Sequence, residues 1–552
     1  MSFGINSNHN MNFIKLNKYV IISSILLISA IVSNLFLSYY IIPKRYIGVD
    51  QLQHFYDMKK WYESGKIPTT STRFIASRVI DEEYTTARVP GGAYYIFYTL
   101  FYKLSSESLL GAKIINLIFN LIIIFIFLFW FYKRFGLMIV SFIAPLILCN
   151  GYFVMAITDF WNPNLSLIFG FLLFILLFEY IDITNENNKR RNIIKLSAVF
   201  IFPIIAIMAQ GHFFVFFSLV PTILIYLIIK HRRTFKYIFY WCLGIFLSFL
   251  EYLPYLISEV HNNFSNLNMI FNTRSSFTKF PFPQIQALFT FPTNDISYFY
   301  GSKIYSSIKF WSQYPIMTIG ILFLFISFIF VLIVFIRAMY FSLNKKYKVN
   351  SNNEKIIIEM MRIFLLFIPI TIIGNIFVGQ FAKIHYLYQF FSFSFLPIIL
   401  FFIQKENKFK INKFFYISSL LIFINIFIMS LELTTYAKNY EESSNYGNTK
   451  MIIKSLFDNT KNNPIDVKLA YSPNHDDIYS EIAKVYFPDI VFNQVYGATN
   501  IYIILNMVGS SQKDINSISN YMNYINMNTI LITNNLNLYL YKYIGNEPFK
   551  KP

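Results

Sequence analysis

Residues 109–164 read LLGAKIINLIFNLIIIFIFLFWF, then YKRFG, then LMIVSFIAPLILCNGYFVMAI, then TDFWNPN. Two apolar runs of spanning length flank a link that holds Lys133 and Arg134. The second run ends at a link of Asp159, Trp161 and two Asn residues. A run of about 20 apolar residues is long enough to cross a bilayer. The same alternation recurs from Tyr19 to Leu433. Further basic links lie at Lys189-Arg190-Arg191, Lys230-His231-Arg232-Arg233, Arg337 to Lys348 and Lys405 to Lys413. Cytoplasmic loops carry the excess of Lys and Arg, so these links mark the cytoplasmic face. The links between them then lie outside, and they hold nearly every acid, imidazole or amide that could do chemistry.

Composition agrees. The 552 residues are 55% hydrophobic and 14% charged, against about 25% charged in a soluble domain. The net charge of +19 sits largely in the basic links and the N-terminal tail and forms no separate basic domain, which argues against nucleic acid. Cys149 and Cys242 both fall in apolar runs and read as packing residues, with no disulfide framework. The first run, Tyr19 to Ile42, is too long for a signal-peptide core and lacks a small-residue cleavage site, so it reads as a retained helix.

Walking the alternation predicts an α-helical polytopic membrane protein of about eleven spans over residues 1–433, amino terminus inside. The first outer loop, 43–108, contains helical periodicity at Gln51–Glu63 and Gly92–Leu104. The second of these is too short to span and is expected along the membrane surface. Residues 434–552 turn polar. Strand-like runs at Val467–Tyr471, Ile501–Val508 and Thr529–Tyr543 alternate with helical patterns at Lys450–Asn459, Ile478–Val485 and Ile515–Tyr524, which predicts a small outer α/β domain.

The chemistry concentrates in the outer links. Asp50 follows the first helix, where a carboxylate can act as base toward an acceptor at the surface. It can equally cap the helix from Gln51 onward. Arg88 offers a planar fork for a phosphate. Lys383 and His385 stand at the turn between spans nine and ten, where Lys383 can also simply snorkel. Asp159 could orient a ligand or cap the next helix. Trp161, Asn162, Gln210 and His212 share the outer links, and His212 also fits plain packing. Glu251 is an ionisable group inside an apolar run, a functional site by default. The run Asp81-Glu82-Glu83 could gather a cationic acceptor or a metal, though a solvated face is the plainer reading. No carboxylate–His cluster has zinc spacing and no nucleotide-phosphate loop occurs. The sequence therefore demands no cofactor or metal and leaves a divalent cation open.

An Asp after helix one, the element Arg88-Val89-Pro90-Gly91-Gly92-Ala93-Tyr94-Tyr95, then Trp161-Asn162-Pro163-Asn164, Gln210-Gly211-His212 and Leu253 to Glu259 resemble the GT-C membrane glycosyltransferases. The likeness is to the bacterial branch related to protein mannosyltransferases and aminoarabinose transferase, and it covers most of the chain. It implies an inverting transfer of sugar from a polyprenyl-phosphate carrier to a glycan, lipid or protein acceptor. The transfer is expected at the outer face of the bacterial inner membrane, with Asp50 as base. Because an anionic lipid phosphate leaves, cations near the outer leaflet should stabilise it, so Arg88, then Lys383 and His385, are expected at the donor phosphate, and Asp159, Trp161, Asn162, Gln210, His212 and Glu251 around substrate. Family members often carry Asp-Glu and Pro-Pro-Leu where this chain has Asp50-Gln51 and Pro90-Gly91-Gly92, which removes a second carboxylate. An O-antigen-type polymerase or ligase, a lipid-linked-sugar flippase and an inactive binding scaffold are the other readings.

Overall fold

Lipid offers the backbone no hydrogen-bond partner, so apolar runs in it close their bonds internally as helices. The computed structural model describes residues 7–45, 49–74, 86–182, 188–272, 282–293, 318–378, 384–409, 413–439, 446–460, 463–471, 498–506, 529–535 and 538–545. Helix α1 (Ser7–Ile41) runs into a 3-10 turn, Ile42–Lys44, that contains Pro43. The first loop holds α2 (Val49–Ser64), strands β1 (Thr70–Arg73) and β2 (Arg88–Pro90), and α3 (Ala93–Leu104). Then come α4 (Leu109–Leu148), α5 (Gly151–Ile157), α6 (Asn162–Ile181), α7 (Asn188–Gly211), α8 (Phe214–Ile229), α9 (His231–Lys236) and α10 (Ile238–His261). The second half has α11 (Ser265–Asn272), α12 (Phe282–Thr293), α13 (Thr318–Leu343), α14 (Asn352–Val378), 3-10 segments Ile384–Phe390 and Ser392–Phe395, α15 (Leu396–Phe409) and α16 (Lys413–Asn439). Both helices expected in the first loop form.

The 40 residues of α4 would reach about 60 Å as one rod, twice a bilayer core. Gly136 breaks it at φ 80° and ψ 169°, a conformation open to glycine. Lys113 before the break meets Asp159 after it at 3.4 Å. Arg134 beside the break instead meets Glu179 near the far end of α6. The two arms therefore fold back on each other.

Among the described residues, eight helices are long and apolar enough to cross a membrane, or nine if one pair bent by 71°, Ile384–Phe390 with Ser392–Gln404, is a single span. The sequence predicted about eleven. One difference is α4, counted once there although its two arms fold back on each other at Gly136, as the two-span reading of the sequence has it. The other is α8, whose 16 residues fall short of a full span. Exposed apolar side chains line α1 (Ile21, Ile25, Ile28, Val32, Phe36) and α10 (Phe239, Phe246, Phe249, Leu253, Val260). Such stripes suit lipid and not water. The chain is a multi-pass membrane protein. Helix α6 is buried over 83% of its apolar window and packs against α4, α7 and α14. Cys149 is buried as expected, but Cys242 is exposed among the apolar residues of α10.

The basic links gather at one end. Glu179 and Asp182 accept from Arg134 of α4 and Arg190 of α7, and Trp130 donates to Glu179 at 2.6 Å. Asn352 of α14 donates to Asp182 at 3.0 Å. Four helices are thus tied by one carboxylate pair.

Beyond the bundle, α17 (Tyr446–Thr460) packs on a four-stranded sheet of β3 (Ile465–Tyr471), β4 (Asn500–Asn506), β5 (Thr529–Asn535) and β6 (Leu538–Tyr543). The order is β3-β4-β6-β5, with β3 and β4 parallel and the other pairs antiparallel. The run read as one strand, Thr529–Tyr543, is the antiparallel β5–β6 pair. Helices expected at Ile478–Val485 and Ile515–Tyr524 lie outside the described residues. Helix α17 also touches the turn Ile42–Lys44, so this unit sits at the first-loop end.

Glu179 to Ala removes the shared acceptor of two arginines. Breaking a buried pair costs about 3 kcal/mol. Thermal unfolding in detergent should show a clearly lowered midpoint, and an unchanged midpoint would deny the network its anchoring role.

Candidate functional site

Helix α2 is inverted relative to an ordinary surface helix. Asp50, Gln53, His54 and Asp57 follow i, i+3, i+4, i+7 spacing and share one face. Gln53, His54 and Asp57 on that face are buried. A polar face turned inward needs polar partners, and the loop supplies them.

Asp57 is saturated. Arg88 at the start of β2 grips it with both terminal nitrogens, at 2.6 and 3.2 Å. Tyr95 of α3 donates to it at 2.7 Å and Gln53 at 2.9 Å. Asn266 of α11 fixes the backbone of Arg88, accepting from its N–H at 2.7 Å and donating to its carbonyl at 3.0 Å. Arg73, the register partner of Arg88 across β1–β2, donates to Gln53 Oε1 at 3.5 Å and stands 3.6 Å from Asp50.

Asp159 is a second buried carboxylate. Arg45 lies 3.0 Å and Lys113 3.4 Å from it, and the Gln51 amide donates at 3.2 Å. Burial pushes its carboxyl up, but Arg45 and Lys113 outweigh this and hold it below the usual carboxylate range. It caps no helix. Its Oδ1 accepts from Phe160 N–H at 2.9 Å, and the residue before α6 is Trp161. The Gln51 amide can donate to Asp159, whereas a carboxylate there would repel it.

Asp50 differs from both. It lies within the first turn of α2 and not before it, so the capping reading gives way to a dipole-favoured position. Its side chain keeps 40% of its surface exposed, against 5% for Asp57 and 0% for Asp159. Four cations, Arg45, Arg73, Arg88 and Lys113, face these three carboxylates, leaving an excess of positive charge.

The turn Gly91-Gly92 joins this cluster to α7. Gln210 Oε1 accepts from Ala93 N–H at 2.9 Å, and Asn162 donates to Gly211 O at 3.1 Å. Gly91 has φ +90°, and a Cβ on Gly92 would lie 1.8 Å from Pro68 O. The turn therefore leaves room for a side chain at neither glycine. Beside the turn, Trp161 packs on His385 with centroids 4.6 Å apart, and His212 meets His385 at 5.7 Å and Tyr386 at 4.9 Å. Asp50 is within electrostatic reach of Tyr386. Burial pushes the His212 imidazole down to about 3.

Most of the expected site residues are therefore brought together: Asp50, Arg88, Asp159, Trp161, Asn162, Gln210, His212 and His385. Arg88 is engaged with Asp57. Glu251 stands apart on α10, its Oε2 buried without a hydrogen-bond partner among the described residues. Lys383 lies outside them. Arg45, His54, Asp57, Arg73, Tyr95, Lys113 and Asn266 were not foreseen. Lys113, an ionisable residue in an apolar run, carried a readable signal. So did Asp57, two helical turns from Asp50. Among the described residues, no three His, Cys, Asp or Glu side chains converge as a metal site.

No protein-family model and no curated protein matches the chain. Two solved structures are similar to it. The crystal structure of ArnT from Cupriavidus metallidurans in the apo state covers 96% of this chain and 98% of its own, at TM-score 0.45 and 10% identity. The crystal structure of the same protein bound to undecaprenyl phosphate covers 93% and 97%, at TM-score 0.45 and 8% identity.

Two outcomes follow from the geometry. Gly92 to Ala drives a methyl into the Pro68 backbone, so limited proteolysis should cut the first loop faster than in the native protein. Burial lowers His54 to about 4 and His212 to about 3. The unfolded chain, with His near 6.5, then binds more protons than the folded one below that pH. Stability should fall as pH drops from about 6.5 toward 4, and His54 to Gln should flatten that slope in detergent melts. An equal slope in both proteins would rule out His54 as a source.

Proposed function

We propose that this protein transfers a sugar from a polyprenyl-phosphate carrier to an acceptor hydroxyl, with inversion and with Asp50 as base. The observation that carries the reading is the contrast among the three carboxylates. Asp57 accepts four hydrogen bonds and Asp159 is flanked by two cations, so neither has an oxygen to spare. Asp50 is the partly exposed one, held at 3.6 Å by Arg73.

In this mechanism Asp50 takes the proton of the acceptor hydroxyl. The acceptor oxygen bonds to the anomeric carbon as the bond from that carbon to the phosphate oxygen breaks. The phosphate leaves with the electron pair, and the cationic excess around the site favours it. Arg88 orders the loop through Asp57. Lys383 and His385 complete the phosphate side, while Trp161, Asn162, Asp159, Gln210 and His212 shape the substrate side. The sugar leaves one lipid for an acceptor outside the cytoplasm, with the Arg134 and Arg190 end cytoplasmic and residues 434–552 outside, in a bacterial inner membrane.

The test uses purified protein in lipid nanodiscs with a panel of polyprenyl-phosphate sugars. Undecaprenyl phosphate, the carrier in one of the similar structures, comes first. Native protein should release carrier phosphate, and Asp50 to Asn should slow release by about 100-fold or more. Equal rates would remove Asp50 from the mechanism. Donor-dependent lipid scrambling without release would favour a flippase.

A further inference from the structure

His54 is buried at 6% exposure, and both of its ring nitrogens lack a hydrogen-bond partner among the described residues. A buried imidazole normally satisfies at least one nitrogen. Its ring meets Tyr94 edge-on at 5.2 Å, and the Tyr94 hydroxyl is likewise buried without a described partner. On β1, the strand that carries Arg73, Ser71 and Thr72 also bury unpartnered hydroxyls. His54 feels Asp50, Asp57, Arg73 and Asp159, and Tyr94 feels Asp50 and Asp159. Both side chains therefore lie within electrostatic reach of the proposed base, His54 on the inward face of α2 and Tyr94 on α3 packed against it.

Resting on the proposed transferase reading, we propose that His54 and Tyr94 form the subsite that reads the hydroxyl groups of the transferred sugar, and that this sugar is uncharged. Imidazole and phenol each offer one donor and one acceptor, the pattern a vicinal diol matches. Burial keeps the His54 ring neutral, with its titration pushed down to about 4. A phosphate would seek a cation instead, and four stand nearby. A cationic amino sugar would need a carboxylate to spare, yet Asp57 and Asp159 are already compensated, and Asp50 faces Arg73 and is committed to the acceptor proton. A site whose buried polar groups expect hydroxyls discriminates strongly against a ligand lacking them.

The experiment compares native protein, His54→Leu and His54→Gln in nanodiscs. The probes are a short-chain polyprenyl-phosphate hexose, its single-deoxy analogues and an amino-deoxy sugar on the same carrier. Calorimetry reads binding, and phosphate release reads turnover. His54→Leu should weaken hexose binding about tenfold. For one deoxy analogue that loss should vanish, because the contacted hydroxyl is already gone, and His54→Gln should recover part of the affinity. Equal loss across every analogue would make His54 merely structural and overturn the proposal. So would unchanged affinity, as for a residue satisfied by water, and so would tighter native binding of the amino sugar. Hexose binding with this His54 dependence but no turnover would sink the transferase reading while leaving the subsite standing. A native protein that binds none of the panel would overturn both.

Discussion

The Asp57–Arg88 pair is the constraint on which the first loop depends. Both side chains are almost wholly buried, and their approach is two-pronged. Burying two charges is costly unless every lone pair and proton is used. Here Tyr95, Gln53 and the Asn266 clamp complete the accounting. The pair joins α2, β2 and α3 to α11. With those four fixed, Arg73 falls opposite Arg88, and Asp50 comes to rest beside Arg73. The geometry of the proposed base is thus inherited from a buried ion pair.

Much of this was legible in the sequence. Apolar runs and basic links predicted the helices, the polar first loop with its two helices, and the C-terminal α/β unit. Motifs at Arg88, Trp161, Asn162 and Gln210 pointed to segments that do meet. What was missed has a common physical reason. Composition reveals which residues carry charge, but not which charges neutralise one another across long separations in the chain. Arg88 reads as a fork for a phosphate, and the Asp57 that occupies that fork lies 31 residues away in the chain. Gln51 reads as a lost carboxylate until Asp159 is seen beside it. The bend at Ile384–Phe390 and Ser392–Gln404 was invisible because apolar residues continue through it.

The two ends of the bundle are built by opposite means. At the basic end, Glu179 and Asp182 are matched by Arg134 and Arg190 and bind helices together. At the first-loop end, cations and carboxylates alternate around side chains whose hydrogen bonds are incomplete. One end is closed chemistry and the other is open. Helix α6, buried along most of its length, connects them and starts at Asn162 within the open end.

The fold-back at Gly136 also bears on how the chain enters a membrane during synthesis. Lys113 precedes the break and Asp159 follows it by the same 23 residues, and they meet at 3.4 Å. A lone charge carried into the hydrocarbon costs about 3 kcal/mol on insertion scales. Threaded as a closed hairpin, the two arms bring their ions in as a neutral couple, each arriving with its own counter-ion. The glycine that bends the backbone at one end therefore eases the passage of charge at the other.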